Sequence, residues 1–399
     1  MWKFIIYELR YWLKRPMVWI FLTVVTLFTI VMVGSQSVTV GGTVGSVHKN
    51  APYVIEVFYA VFSTIFLLMV TAFMNATAIR DFQYNMYQFV FSSPIKKRDY
   101  FFGKFIGAAI ISLIPTLGIS LGAILAPVIA PILPASFDMA PPERFGEIIW
   151  SGHLNGILIF ALPNVIIGGV LLYGLAIVFR SNIVSFISAM LLIVFYSVSG
   201  GFSGDIKKEW LSSLLDPFGL NALEIMTKYM TVIEKNTISA GLEGNLLINR
   251  LVWLGIGMII LSAVYYFFSF NIKKEKVKKN KIEKSVSVPT LSKRVFNPSS
   301  ANVFSFKTLI NLIRFETKAI VKNPVFIIIT GIGMILLITA LTSFSDNYGA
   351  KQYPVTYDII GAINGSFNIF MLGFITFYSG VLVWKDVMQN LMKLKILLL

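Results

Sequence analysis

Residues 80–104, RDFQYNMYQFVFSSPIKKRDYFFGK, form a charged and aromatic stretch between two apolar runs, near 54–78 and 104–130. Each run is long enough to cross a membrane, which takes about 20 apolar residues. The whole chain has the same character, since its 399 residues are 56% hydrophobic and only 13% charged. These values exclude an ordinary soluble protein and predict an all-α, polytopic transmembrane helical bundle.

Apolar runs of spanning length recur along the chain and predict about eight spans. They lie near 17–34, 54–78, 104–130, 154–179, 182–200, 246–270, 324–343 and 358–384. Residues 1–16 place apolar side chains at helical spacing and stop at Pro16, which predicts an amphipathic interfacial helix before the first span. The alternative, the basic start of a cleaved signal peptide, is disfavoured because further spans follow and the segment is amphipathic.

The charges of the connecting loops favour one orientation of these spans. With the N-terminus inside, every inner segment is net positive, as around Arg10, around Lys97, at Arg180 and after Asn271. The outer loops are close to neutral or acidic. Because inner loops of membrane proteins carry the excess of lysine and arginine, the pattern predicts a multi-pass protein with a cytoplasmic N-terminus.

A basic segment, residues 271–305, follows the sixth predicted span. Its lysine run and the serines and prolines after it predict a flexible cytoplasmic linker. Anionic membrane lipid is the expected neighbour of these lysines. Nucleic acid is not an expected partner, because aromatic residues are not interleaved with the lysines.

The segment after the linker repeats the start of the chain. Glu8 lies eight residues before Pro16, and Glu316 lies eight residues before Pro324. A basic amphipathic stretch, which includes Arg10 in the first copy, lies between each pair, and an apolar run follows. The match continues at the end of the second and last spans, which carry Arg80-Asp81 and Lys385-Asp386. This pattern predicts a parallel repeat of a six-span unit.

The repeat divides the chain into four predicted parts, of which the last is incomplete. They are an interfacial helix at 1–16, a first six-span unit at 17–270, the linker at 271–305, and the start of a second unit at 306–399. The second unit has its interfacial helix and two spans, so about four spans are missing by comparison with the first. We therefore expect a fragment or a truncated product.

The sequence lacks the motifs that would make the chain an enzyme. It has no G-x-x-x-x-G-K-[ST] phosphate loop and no cysteine. Its two histidines, His48 and His153, lie in different predicted outer loops without an H-E-x-x-H frame, so we expect solvated histidines and neither a metal nor another cofactor. Glu56 and Arg250 are placed at span edges, and the scarcity of ionisable residues within spans argues against an ion-coupled carrier.

Polar and small residues within the spans are expected to serve helix packing. Four asparagines favour interhelical hydrogen bonds over substrate contacts: Asn75, Asn164, Asn364 and Asn368. Four glycines around the third span predict close helix contacts, within the chain or with a second unit: Gly103, Gly107, Gly118 and Gly122. The outer loop near 200–245 allows two interpretations, short helices on the outer leaflet or an ordinary folded loop.

The stretch at 80–104 resembles a cytoplasmic segment of ABC-transporter permeases of the type-2 exporter class. In that class the segment after the second span reads R-E-x-x-x-G-T…L-x-S-P-[VIL]-x-[RK]-x-x…G-K. The matching residues here are Arg80, Asp81, Ser93, Pro94, Ile95, Arg98, Gly103 and Lys104. Asn85 and Met86 stand where the pattern has Gly-Thr, and asparagine tolerates the left-handed backbone that a glycine would adopt. The repeat is similar to long two-unit permeases of bacteria related to Bacteroides, which continue into a zinc aminopeptidase-like domain.

This resemblance implies a function as the membrane subunit of an ATP-driven exporter in a bacterial inner membrane. A separate cytoplasmic ABC ATPase would dock on 80–104, and a second permease unit is a further expected partner. The helical spacing of Phe82, Met86 and Phe89 predicts a short amphipathic helix with an aromatic face, which Pro94 ends. The predicted docking residues are Arg80, Asp81, Phe82, Met86, Phe89, Pro94 and Arg98.

Other functions compatible with the sequence are a non-transporting membrane scaffold and, less favoured, an ion-coupled secondary transporter. For 80–104 itself, the alternative to docking is a loop held at the lipid headgroups by its aromatic residues. The transported substrate cannot be read from the span residues.

Overall fold

The computed structural model of the chain describes residues 1–39, 45–133, 138–202, 206–270 and much of 306–380. These residues divide into two compact units, Met1–Phe268 with the described part of Ile329–Leu399, and Ser269–Ile328. The protein is an all-α helical bundle, and the described strands are two short ones, β1 (Asp346–Asn347) and β2 (Ala350–Lys351), paired antiparallel.

Twelve α-helices are described between Met1 and Phe268. They are α1 (Trp2–Leu13), α2 (Pro16–Gly34), α3 (Pro52–Gln83), α4 (Tyr87–Ser92), α5 (Lys97–Ile129), α6 (Trp150–Asn155), α7 (Leu162–Phe179), α8 (Asn182–Gly200), α9 (Glu209–Leu215), α10 (Leu220–Thr227), α11 (Val232–Thr237) and α12 (Gly244–Phe267). Within the described residues, five stretches are long and apolar enough to cross a membrane, as expected of a multi-pass membrane protein.

The five stretches correspond to predicted spans, with some ends displaced. They are Pro16–Gly34, Pro52–Gln83, Lys97–Ile132, Trp150–Phe179 and Gly244–Phe267. The predicted fifth span, 182–200, has the same bounds as α8. The linker at 271–305 lies outside the described residues, and so does most of the predicted span at 358–384.

Helix α1 ends just before Pro16, as the sequence predicts. Pro16 is the first residue of α2, where its missing N–H is not needed and its fixed φ suits a helix start. The buried face of α1 consists of Ile5, Glu8 and Trp12. Trp2, expected on the apolar stripe, is exposed, because the face packed on the bundle is narrower than the apolar stripe.

Helix α5 packs against α1, α2, α3 and α7, and its glycines permit the closest of these contacts. A Cβ on Gly107 would lie 2.7 Å from the Cβ of Glu8 in α1, and one on Gly122 would lie 2.6 Å from the Cβ of Thr29 in α2. Gly103 and Gly118 face the same two helices. The expected close packing is therefore observed, and it lies within the chain.

A wide helical turn interrupts the fourth candidate span. Residues Gly156–Ala161 form a π-helix between α6 and α7. Gly152 and Gly156 lie so close to Pro52 and Tyr59 of α3 that neither position has room for a side chain. The turn therefore lies where the backbone of this span approaches α3 most closely.

The segment after α8, predicted as an outer loop, is folded onto the bundle. Helix α9 packs against α8 and α12, and α10 packs against α12 and α3. Ser212 and Asp216 are buried there, although Trp210 is exposed. The region thus consists of short helices, of which α9 and α10 pack on the bundle.

Two further helices are α13 (Phe306–Val321) and α14 (Pro324–Ser343). Two residues separate α13 from α14, as two separate α1 from α2, and a proline begins the second helix of each pair. Glu316 is half-buried. The expected counterpart of the docking segment, Lys385-Asp386, lies outside the described residues.

Candidate functional site

The predicted docking segment lies at the end of the bundle where α3 ends and α5 begins, here called the α4 end. Asn85 adopts a left-handed backbone conformation, with φ of 56°. This residue follows the last turn of α3 and reverses the chain into α4, so the left-handed turn that the asparagine predicts is observed. Pro94 follows α4 and precedes α5.

The aromatic residues of the segment divide into an inner cluster and an outer surface. Phe82, Tyr87 and Phe91 pack together, with ring centroids 5.5 to 6.1 Å apart. The predicted common face of Phe82, Met86 and Phe89 is wrong, because Phe82 belongs to α3 and Asn85 breaks the helical phase. Met86 is exposed, and Phe89 is 70% exposed.

The inner cluster continues into the helices around it. Phe91 lies 5.6 Å from Tyr100 of α5 and 6.3 Å from Phe268, which follows α12, measured between ring centroids. The Arg180 guanidinium after α7 lies 4.7 Å from the Phe82 ring centroid. Helix α4 is thus packed against three other parts of the bundle, namely the end of α3, the start of α5 and the residue that follows α12.

A buried ion pair joins α1 to the end of α3. The Arg80 Nη2 donates to Glu8 Oε1 at 2.6 Å, and the guanidinium lies 3.9 Å from the Tyr11 ring centroid. Burial raises the pKa of the Glu8 carboxyl, while the charges of Lys104 and Arg80 act in the opposite direction. Glu8 Oε2 and Arg80 Nη1 are buried without a hydrogen bond among the described residues.

A second ion pair joins α3 to α5. Lys104 Nζ donates to Asp81 Oδ2 at 2.7 Å, and the Tyr100 hydroxyl donates to the same oxygen at 2.8 Å. Lys104 is almost wholly buried. Asp81 therefore has a structural partner inside the protein, and its charge is not displayed to a docking subunit.

The structure brings only some of the predicted site residues together. Glu8, Arg80 and Asp81 share one charged network with Lys104. Arg98 lies apart from that network and is 71% exposed at the start of α5. Arg10 is also exposed. Glu316 and Pro324 belong to the other compact unit and are described separately.

A cleft of about 650 Å³ opens beside this network, between α1 and the α3–α5 connection. Charged groups from both sides line it, including Lys3, Arg15 and Arg80. The remaining wall is largely aromatic and aliphatic, with Tyr7 and Val90 among its residues. Sequence reasoning missed this cleft, because its walls come from segments about 80 residues apart.

At the opposite end of the bundle, buried charges correct an expectation from the sequence. Glu56 and Arg250, expected at span edges, are buried inside the protein. Arg250 donates to Asn164 Oδ1 at 2.7 Å, and Asn164 donates to Ser63 Oγ at 2.7 Å. Glu56 Oε2 accepts the Ala240 N–H at 2.9 Å. The sequence signal for these two sets of buried contacts was a charged residue beside an apolar run.

Two of the four predicted asparagines form the expected interhelical hydrogen bonds. Besides Asn164, Asn75 accepts a hydrogen bond from Ser185 of α8 at 2.9 Å. Asn364 is exposed, and Asn368 lies outside the described residues. Interhelical hydrogen bonding is thus observed for Asn75 and Asn164.

The expectation of solvated histidines is wrong for His153. It is buried in α6, and its Nδ1 lies 3.0 Å from Ser120 Oγ. In the part of the chain that the structure describes, no group of three or more histidine, cysteine or acidic residues could hold a metal ion.

No protein-family model, curated protein or solved structure matches this chain. Function is therefore inferred from the α4 end itself and from the resemblance of residues 80–104 to the permease segment.

Proposed function

We propose that the chain is the membrane-spanning permease subunit of an ATP-driven ABC exporter. It would lie in a bacterial inner membrane with its N-terminus in the cytoplasm and work with a separate cytoplasmic ATPase. The sequence resemblance at 80–104 supports this assignment. The lysines and arginines of the α4 end support a cytoplasmic position for it, because positive residues concentrate on that side.

One structural observation carries the docking part of the proposal. The outer face of α4 shows aromatic and apolar side chains to the surroundings, while its inner face is packed on the bundle. Phe89 of α4 is exposed there, Tyr84 and Met86 are exposed in the turn that precedes α4, and Lys96 and Arg98 follow in the chain. Exposed aromatic residues beside positive charges are typical of a protein interface.

The packing beneath α4 provides a route for motion from a docked subunit to the spans. The inner aromatic cluster joins α4 to α5 and the end of α12. The Glu8–Arg80 and Asp81–Lys104 pairs then join α3 to α1 and to α5. A displacement of α4 would therefore move the ends of several helices together, as rigid packed elements do in conformational switches.

The structure also shows a reason to keep an ion-coupled carrier as the second candidate. The argument against such a carrier was that the spans contain few ionisable residues. Glu56 weakens that argument, because it is fully buried within a candidate span. Buried carboxylates in spans are often functional. Transport by the reconstituted chain under a proton gradient without ATP, lost in Glu56→Gln, would favour this candidate.

The docking proposal can be tested with single cysteines, because the chain has none of its own. We expect Phe89→Cys, carrying a short photoreactive crosslinker in native membranes, to capture a protein with a phosphate-loop motif. Trp210→Cys is the matched control, since it is also exposed and lies in the folded loop. Capture by both positions, or by neither, would reject docking at α4.

Reversing the charge of an exposed residue of the docking segment is a second test of docking. Arg98→Glu changes an exposed charge and should weaken capture while leaving the fold intact. Asp81→Lys would place a positive charge beside the buried Lys104, so a loss of binding in that variant would report damage to the bundle.

A further inference from the structure

The cleft beside α1 contains positive charge that the protein does not balance. Four cations line it, Lys3, Arg15, Arg80 and Lys104, together with two acids, Glu8 and Asp81. The acids pair with Arg80 and Lys104, so four cations minus two acids leaves a net charge of +2. Lys3 and Arg15 have no acidic partner within 4 Å among the described residues.

Two guanidinium groups lie against one aromatic ring in this cleft. Arg80 is 3.9 Å and Arg15 is 4.3 Å from the centroid of Tyr11. Only Arg80 has a carboxylate partner. The Arg15 charge therefore adds to that of Arg80 on the same wall of the cleft, and an anion bound beside Arg15 would balance it.

The rest of the wall is apolar and suits a hydrocarbon chain. Phe4, Val90 and Ile95 line the cleft, and its volume of about 650 Å³ is within the range of small-molecule sites. Positive groups beside an apolar wall match an anionic amphiphile. A free phosphate ion would leave the apolar wall unused.

The position of the cleft favours a lipid from the surrounding leaflet. Helix α1 is amphipathic and continues at Pro16 into a candidate span, which places α1 at the membrane surface. The cleft between α1 and the start of α5 therefore lies at headgroup depth. Anionic lipids attract lysine and arginine at this depth, with about 1 kcal/mol for each residue.

We propose that this cleft is a binding site for an anionic phospholipid. Its anionic headgroup lies along the wall that carries Lys3 and Arg15, and the upper part of an acyl chain lies along Val90 and Ile95. A bound lipid would contact both α1 and α4. The proposal requires only that α1 lies at the membrane surface, and it does not depend on an ATPase.

Native mass spectrometry of the full-length chain tests the site. The protein, in zwitterionic detergent, is titrated with phosphatidylglycerol or with phosphatidylcholine of the same acyl chains. We expect tighter binding of phosphatidylglycerol. In Lys3→Gln/Arg15→Gln, phosphatidylglycerol should bind roughly thirtyfold more weakly, as expected for the loss of two surface cations.

The matched control is Lys96→Gln/Arg98→Gln, which removes two exposed cations from the same end of the bundle but outside the cleft. It should bind phosphatidylglycerol as the unmodified chain does. Equal losses in the two double variants, or equal binding of the two lipids, would overturn the proposal in favour of general surface attraction.

A second variant tests the apolar wall without changing charge. Val90→Trp should fill part of the cleft and weaken phosphatidylglycerol binding, with an unchanged unfolding midpoint showing that the bundle remains folded. Displacement of the lipid by excess inorganic phosphate would identify the ligand as a free anion and reject the lipid. Because no ATPase is present in these measurements, their outcome is independent of the docking experiment.

Discussion

Replacing Arg80 with methionine measures the cost of burying the Glu8 carboxylate without its partner. The two side chains are 10% and 0% exposed, and 2.6 Å separates Arg80 Nη2 from Glu8 Oε1. Removing one member of a buried ion pair costs about 3–5 kcal/mol, because the remaining charge stays away from water. Lys104 still faces Glu8 electrostatically, so we expect the lower limit, about 3 kcal/mol of unfolding free energy.

The chain offers a matched control in Lys228→Met. Lys228 Nζ also lies 2.6 Å from a carboxylate oxygen, that of Glu209, but these side chains are 38% and 19% exposed. Exposed ion pairs contribute about 0–1 kcal/mol, so this substitution should cost less than about 1 kcal/mol. The comparison holds the N···O distance fixed and changes the burial.

The assay is reversible unfolding of the full-length chain in mixed micelles, by titration with sodium dodecyl sulfate and detection of helix loss by circular dichroism. Equal losses in the Arg80 and Lys228 variants would refute the argument from burial. The double variant Glu8→Leu/Arg80→Met should recover most of the loss, because it removes both charges. A double variant as unstable as Arg80→Met would show that packing, and not an unpaired charge, is the cause.

The same titration checks two glycine comparisons. Gly122→Ala should cost about 1–3 kcal/mol, because its Cβ would lie 2.6 Å from the facing threonine of α2, whereas Gly255→Ala meets open space and should be neutral or slightly stabilising. Gly219→Ala should cost more than Gly244→Ala, since both positions have positive φ but only the first lies against a buried guanidinium. Glu234 accepts hydrogen bonds from its N-cap residue, which lower the pKa of its carboxyl below 4.5. The stability from its ionised form is therefore complete above pH 4.5 and lost as the pH falls through the folded-state pKa, and amide exchange in α11 should show this loss in the unmodified chain but not in Glu234→Gln.

Local rules predicted the features of the fold that depend on neighbouring residues. The lengths of the apolar runs predicted the candidate spans, and Pro16 and Pro324 predicted the starts of α2 and α14. Asn85 predicted a left-handed turn, because asparagine itself tolerates the left-handed backbone conformation.

Burial of polar groups could not be predicted, because it depends on distant segments. Glu56 is covered by Ala240, which lies 184 residues away, and Arg250 reaches Asn164 across 86 residues. No periodicity in the sequence connects these positions. The predicted common face of Phe82, Met86 and Phe89 was wrong for a different reason. The turn at Asn85 changes the helical phase between α3 and α4, and residue spacing does not show the size of that change.

The π-helix at Gly156–Ala161 affects how the fourth candidate span can be altered. A bond from i to i+5 accommodates one residue more than an α-helical turn, so the turn absorbs an extra residue that would otherwise rotate α6 relative to α7 by about 100°. Deleting one residue within it would restore regular helix and leave the faces of α6 and α7 as they are. The same deletion inside α7 would rotate every upstream side chain away from its contact with α3. This span should therefore tolerate a change of length at one turn and hardly anywhere else.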